Sequence, residues 1–151
     1  MMTSVATRLE KLINEYKVQL NAVPDDDLLY KPSPVKWSKK EIIGHLIDSA
    51  QSNIRRFIIA QYEENPSIVY HQDNWVALNH YQNEDKNDVI QLWYLLNKQA
   101  CHILKNISEE NAQRTCQSGA VHTIEWLAED YIKHLQHHMH VVLNLEPVAY
   151  P

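Results

Sequence analysis

Glycine is nearly missing from this chain: two occur in 151 residues. Tight turns, left-handed backbone and phosphate-cradling loops all draw on glycine, so a turn-rich β fold and a nucleotide-binding loop are disfavoured and long helices favoured. Cysteine is equally scarce. Cys101 and Cys116 show neither a Cys-x-x-Cys spacing nor a disulfide framework, and the compartment expected from them is a reducing cytoplasm. Basic residues are outnumbered, 14 Lys and Arg against 19 Asp and Glu, and they are scattered apart from Lys39-Lys40 and Arg55-Arg56, which argues against a nucleic-acid surface. No apolar run approaches the ~20 residues of a membrane span, and the first ten residues lack the apolar core of a signal peptide. What remains is a chain with 44% hydrophobic residues, enough for one domain, 1–151, that buries its own core.

The most informative stretch runs from Thr123 to Leu145. It has no Gly and no Pro, it opens on a Thr able to cap it, and its length suits about six helical turns. On a helical wheel His134 and His138 fall on one line, with Leu127, Tyr131, Val141 and Leu145 within about 60° of them. This pair therefore lies on the apolar face, His137 at its edge, and His140 among residues expected to meet water. Two imidazoles about 6 Å apart in helix rise can serve one metal ion, but a catalytic site needs a third protein ligand.

The rest of the chain reads as three further helices. Val5, Leu9, Leu12, Ile13, Tyr16 and Leu20 recur at helical spacing from Thr3 or Ser4 to about Asn21. Asp25-Asp26-Asp27 suggests a short capped turn, and Lys31 to Lys36 an extended connector. Ser38, with Glu41 three residues on, has the spacing of a capping box and opens a second helix to about Glu63, with Ile43, Leu46, Ile47, Ala50, Ile54, Phe57 and Ile58 inward. His45 flanks that face, beside a strip of Glu41, Asp48, Ser49, Ser52 and Arg56 that the wheel reads as a solvated side. From Asn65 to Asn87 no helical period is sustained, yet Tyr70, Trp75 and Tyr81 suggest a packed crossover, one long enough to let the flanking helices run parallel. Asp88 to Ile107 forms the third long helix, with Val89, Leu92, Trp93, Leu96, Ala100, Ile103 and Leu104 inward and Cys101 and His102 in core or boundary packing. Ser108 to Ala120 reads as a short capped turn and a loop.

Four amphipathic helices in one domain predict an all-α fold, a four-helix bundle with a long crossover between the second and third helices. Several familiar sites are absent. There is no Glu-x-x-His pair of the di-iron bundles, no His-Glu-x-x-His, no Cys-x-x-Cys-His and no Gly-x-Ser-x-Gly.

Two segments, Trp37-Ser38-Lys39-Lys40-Glu41-Ile42-Ile43-Gly44-His45-Leu46-Ile47-Asp48-Ser49 and Thr123 through His138, together with Asn53, Arg56-Phe57, Asp73, Trp75 and Tyr81, resemble the DinB/YfiT-like superfamily of metal-binding four-helix bundles. The resemblance covers most of the chain. It implies a divalent metal, nickel or zinc, held by His45, His134 and His138, with Glu41, Asp48 and Asp130 as groups that orient the imidazoles or act as bases. His137 would be edge packing or a further group supporting the ligands, and the strip around His45 would line a water-filled cleft.

It further implies a thiol transferase joining a low-molecular-weight thiol to an electrophile. The alternatives are a metal-dependent hydrolase using one of the three carboxylates as base, or a metal-binding and dimerisation bundle without turnover. Three neutral His ligands leave a metal its charge and an open position, which suits either chemistry. The partners implied are small molecules and a second copy of the chain, a homodimer, with no nucleic acid and no membrane.

Overall fold

In the computed structural model, which describes residues 1–151, four long helices carry the fold: α1 (Met2–Asn21), α3 (Lys39–Ile59), α5 (Lys86–Lys105) and α7 (Ile124–Val142). Between them lie the short helices α2 (Asp25–Leu29), α4 (Gln72–Asn79) and α6 (Glu109–Ala112), a 3-10 turn at Tyr81–Asn83, and the strands β1 (Thr115–Gln117) and β2 (Val121–Thr123). α1 packs on α5, α5 on α3, α3 on α7, and α7 closes back on α1. Consecutive long helices α1 and α3 thus sit across the bundle. No helix is long and apolar enough to cross a membrane.

The helix starts follow local chemistry. The Ser38 hydroxyl accepts from Glu41 N, and the Glu41 carboxylate accepts from Ser38 N, the reciprocal box expected from the sequence. Asp85 and Thr123 accept amide protons at the heads of α5 and α7, contacts worth about 1 kcal/mol each. One cluster of buried side chains then joins the four helices, with Leu9, Ile13, Ile47, Phe57, Trp93, Leu104 and Leu135 at its centre. Each large side chain sealed there contributes about 1.5–3 kcal/mol.

Some expectations are corrected. The second helix ends at Ile59, short of Glu63, and Ile58 faces water, as do Leu92, Val141 and Leu145, which the wheel placed inward. The face of α7 that enters the core is the line of Ala128, Tyr131, Ile132, Leu135, Met139 and Val142, and the His134–His138 line lies at its flank. His102 is exposed, while Cys101 is buried. The crossover contains α4, which buries only Val76 and so leaves no period to read. The loop after α6 holds a hairpin in the register Thr115 to Thr123, Cys116 to His122 and Gln117 to Val121, tied to the crossover by Ile68 N donating to Gln117 O at 2.9 Å and Gln117 N to Pro66 O at 2.8 Å.

The two glycines have separate uses. Gly119 turns the hairpin at φ +96°, a conformation costly for any other residue. Gly44 lets the Tyr81 ring lie against α3 where a Cβ would stand. That approach carries the Tyr81 hydroxyl to Asp48, one turn beyond His45.

Candidate metal centre

His45 projects from α3 toward α7, and His134 and His138 meet it from one line of α7. Their Nε2 atoms stand 3.0 Å apart for His45 and His134, and ring centroids are 5.0 Å (His45 and His134), 4.9 Å (His45 and His138) and 4.6 Å (His134 and His138). One nitrogen from each ring lies within 4.8 Å of the other two. Ligand nitrogens at right or tetrahedral angles on a shell of about 2.1 Å radius stand about 3.0 to 3.4 Å apart, the spacing the His45 and His134 pair already has and one the third ring reaches by a small rotation.

The rings are held neutral. Burial, and then the His138 ring, lowers His45 from its ordinary 6.5 to about 4. Burial, and then the surrounding imidazoles, lowers His134 to about 3, and burial with His137 lowers His138 to about 4. Three inward-pointing neutral imidazoles are the donor set a divalent nickel or zinc ion takes, and the residues fit such an ion. Trp37 covers the outer side of His45 at 4.9 Å, and Tyr150 lies 5.3 Å from the His134 ring.

The strip the wheel assigned to solvent is buried. His45 and Asp48 are each 1% exposed and Ser49 3%: Trp37 and the α7 histidines cover His45, while Tyr81 and Asn79 of the crossover close over Asp48. A wheel drawn on one helix has no knowledge of a loop folding back on it.

The three carboxylates are placed differently. Glu41 is occupied by the capping box and by Lys31 at 3.2 Å. Asp48 Oδ1 accepts from the Tyr81 hydroxyl at 2.6 Å and from Asn79 Nδ2 at 3.3 Å; burial raises its pKa to about 6 against the opposing Tyr81 bond. Its Oδ2 and the His45 Nδ1 are both sealed without a hydrogen-bond partner, so neither reaches the other. Asp130 Oδ2 accepts from the Tyr150 hydroxyl at 2.7 Å and lines a cavity of about 270 Å³ that His134 also borders. None of the three carboxylates hydrogen-bonds an imidazole.

The segment after Leu143 doubles back along α7. His137 Nδ1 donates to Val148 O and His140 Nδ1 to Glu146 O, both at 2.7 Å, while His140 Nε2 accepts from Tyr16 at 2.8 Å. His137 is edge packing as expected, but His140 is half-buried and engaged on both nitrogens. Tyr150, which these contacts bring to the cavity, carries no periodic signal in the sequence.

Residues 8–142 match the family model of the DinB superfamily. The chain belongs to that superfamily. Among DinB-like relatives, a protein of Halalkalibacterium halodurans is 29% identical over 106 residues, 68% of this chain and 61% of the relative. One of Oceanobacillus iheyensis is 30% identical over 113 residues, 72% of this chain and 64% of the relative. Both carry the name "putative metal-dependent hydrolase", and the match spans less than two thirds of each. The fold is that of YfiT from Bacillus subtilis, with a TM-score of 0.83 at 21% identity over 95% of this chain and 84% of that one. YfiT is described as a probable metal-dependent hydrolase with an unusual four-helix bundle topology.

Proposed function

We propose that this DinB-like chain is a metal-dependent enzyme in which His45, His134 and His138 hold one divalent ion, nickel or zinc, and that it joins a low-molecular-weight thiol to an electrophile. The observation that carries the reading is the meeting of three neutral imidazoles from two helices beside a cavity open to small molecules. An ion held by neutral ligands keeps its charge and supplies the Lewis acidity that favours thiolate over thiol near neutral pH. The chain's own part is to fix the three rings and to keep water from the flanks of His45 and His134 with Trp37 and Tyr150. Thiol transfer needs no protein base once the thiol is ionised, which suits a site where Glu41 and Asp48 are committed to structural bonds.

Hydrolysis is the second reading, favoured by Asp130. It is the one carboxylate in the cavity wall, its Oδ1 makes no protein hydrogen bond, and it can take a proton from an attacking water. The names of the two relatives favour the same reading. A homodimer belongs to the proposal on family grounds and is read by light scattering.

The test begins with ion analysis of purified protein, for which about one divalent ion per chain is expected. Ion-loaded and ion-stripped protein are then incubated with a thiol panel and monochlorobimane, and separately with nitrophenyl esters. Thiol consumption that needs the ion supports the first reading, and ester cleavage without thiol turnover replaces it with the second. Protein that takes up no ion when zinc or nickel is supplied removes both.

A further inference from the structure

The cavity beside His134 has a cation in its wall. Arg56, from α3, is half-buried there, and its guanidinium is held in place by protein acceptors: Nε donates to Ile68 O at 3.0 Å and Nη1 to Asn53 Oδ1 at 3.3 Å. Nη2 makes no bond with the protein. No carboxylate lies within ion-pair distance of Arg56, although Asp130 shares the same cavity and binds the Tyr150 hydroxyl instead. A guanidinium fixed at two of its nitrogens, drawn partly out of water and left without a counter-ion is costly to keep unless something anionic completes it. Burial lowers its proton affinity from the ordinary value, and nearby groups, Asp130 among them, oppose that only in part.

The cavity is also lined by aromatic rings. Trp126 stacks on His122 with ring centroids 3.5 Å apart and planes 7° from parallel, and Tyr70 and Tyr150 border the same space. At about 30 Å³ per water the cavity holds about nine waters, the room of a small organic molecule.

We infer that the substrate of this site carries a carboxylate, which Arg56 binds through its free nitrogen while the body of the molecule lies against Trp126 and Tyr150 and its reacting end points to His134. This rests on the metal-dependent reading for the reacting end, but the Arg56 contact stands independently of any ion. The bond from that nitrogen to a carboxylate is charge-assisted, and a neutral isostere of the same shape forfeits it.

Phenylacetate and phenylacetamide are the probes, alike in shape and different in charge. Their binding is measured by titration calorimetry on ion-stripped and ion-loaded protein, with wild type, Arg56→Gln and Arg56→Lys. Ion-stripped wild type is expected to bind the acid at least about tenfold tighter than the amide. Arg56→Gln is expected to erase that preference and Arg56→Lys to reduce it, with the ion content of loaded protein unchanged. Equal binding of acid and amide by stripped wild type overturns the inference without any variant, so a poorly folding Arg56→Gln does not shelter it. A preference seen only in loaded protein and surviving in Arg56→Gln also overturns it, since the carboxylate then binds the ion. Failure of the metal-dependent reading shows separately, as loaded protein that holds no ion while stripped protein still prefers the acid.

Discussion

Lowering the pH should leave ion binding by this protein almost untouched over a range where an ordinary three-histidine site fails. Protons compete with the ion for the same nitrogens, and the competition begins only as pH falls to the pKa values of the ion-free rings. For three imidazoles at the usual 6.5, a drop to pH 5 leaves about 3% of each neutral and weakens affinity about 10⁴-fold. With His45 at about 4, His134 at about 3 and His138 at about 4, the same drop weakens it less than about twofold. Proton release gives a sharper measure. At pH 6 the ordinary set gives up about two protons on binding the ion, whereas these rings give up almost none. Calorimetry of zinc binding at pH 6 in two buffers of different ionisation enthalpy counts the protons directly, with circular dichroism to establish that the ion-free protein remains folded. Release of two protons would refute the view that burial keeps these rings neutral.

His134→Ala should lower ion content from about one per chain to below a tenth, while His102→Ala, exposed on α5, should retain the ion under the same elemental analysis. Gly44→Ala drives a methyl into the Tyr81 ring and should cost about 1–3 kcal/mol, seen as a lowered thermal midpoint. Asp48 is protonated more readily in the folded chain than in the unfolded one, so its contribution to stability falls as pH rises from about 4 through about 6. Asp48→Asn should remove that fall, making denaturant midpoints above pH 6 higher relative to wild type than those at pH 4. An unchanged difference between the two pH values would count against it.

The long helices and their caps were legible because their signals are local. Ser38 with Glu41, Thr123 before Ile124, and the spacing of Val5, Leu9, Ile13 and Leu20 each fix an element within a few residues of itself. Helix α4 and the hairpin were not, since one buries a single residue and the other has three-residue strands whose pairing depends on distant chain. The His134–His138 pair is visible as an i, i+4 spacing on one helix. His45 needed the family resemblance, because what makes it inward is its packing against Trp37 and against His134 and His138 of α7, the latter contacts across 89 and 93 positions of sequence. The capping-box bond of Glu41 was legible in the spacing from Ser38, whereas the bonds that Asp48 takes from Tyr81 and Asn79 and Asp130 from Tyr150 come from distant chain that no period encodes.

The return of the C-terminal segment along α7 bears on how the protein is prepared. Tyr150 borders the cavity beside His134, so an oligohistidine tag fused after Pro151 would begin one residue from that wall and bring its own imidazoles to the mouth of the centre. Nickel carried through affinity purification on such a tag would then be counted as if the protein had chosen it. Elemental analysis and probe titrations belong on material whose tag has been placed elsewhere and cleaved.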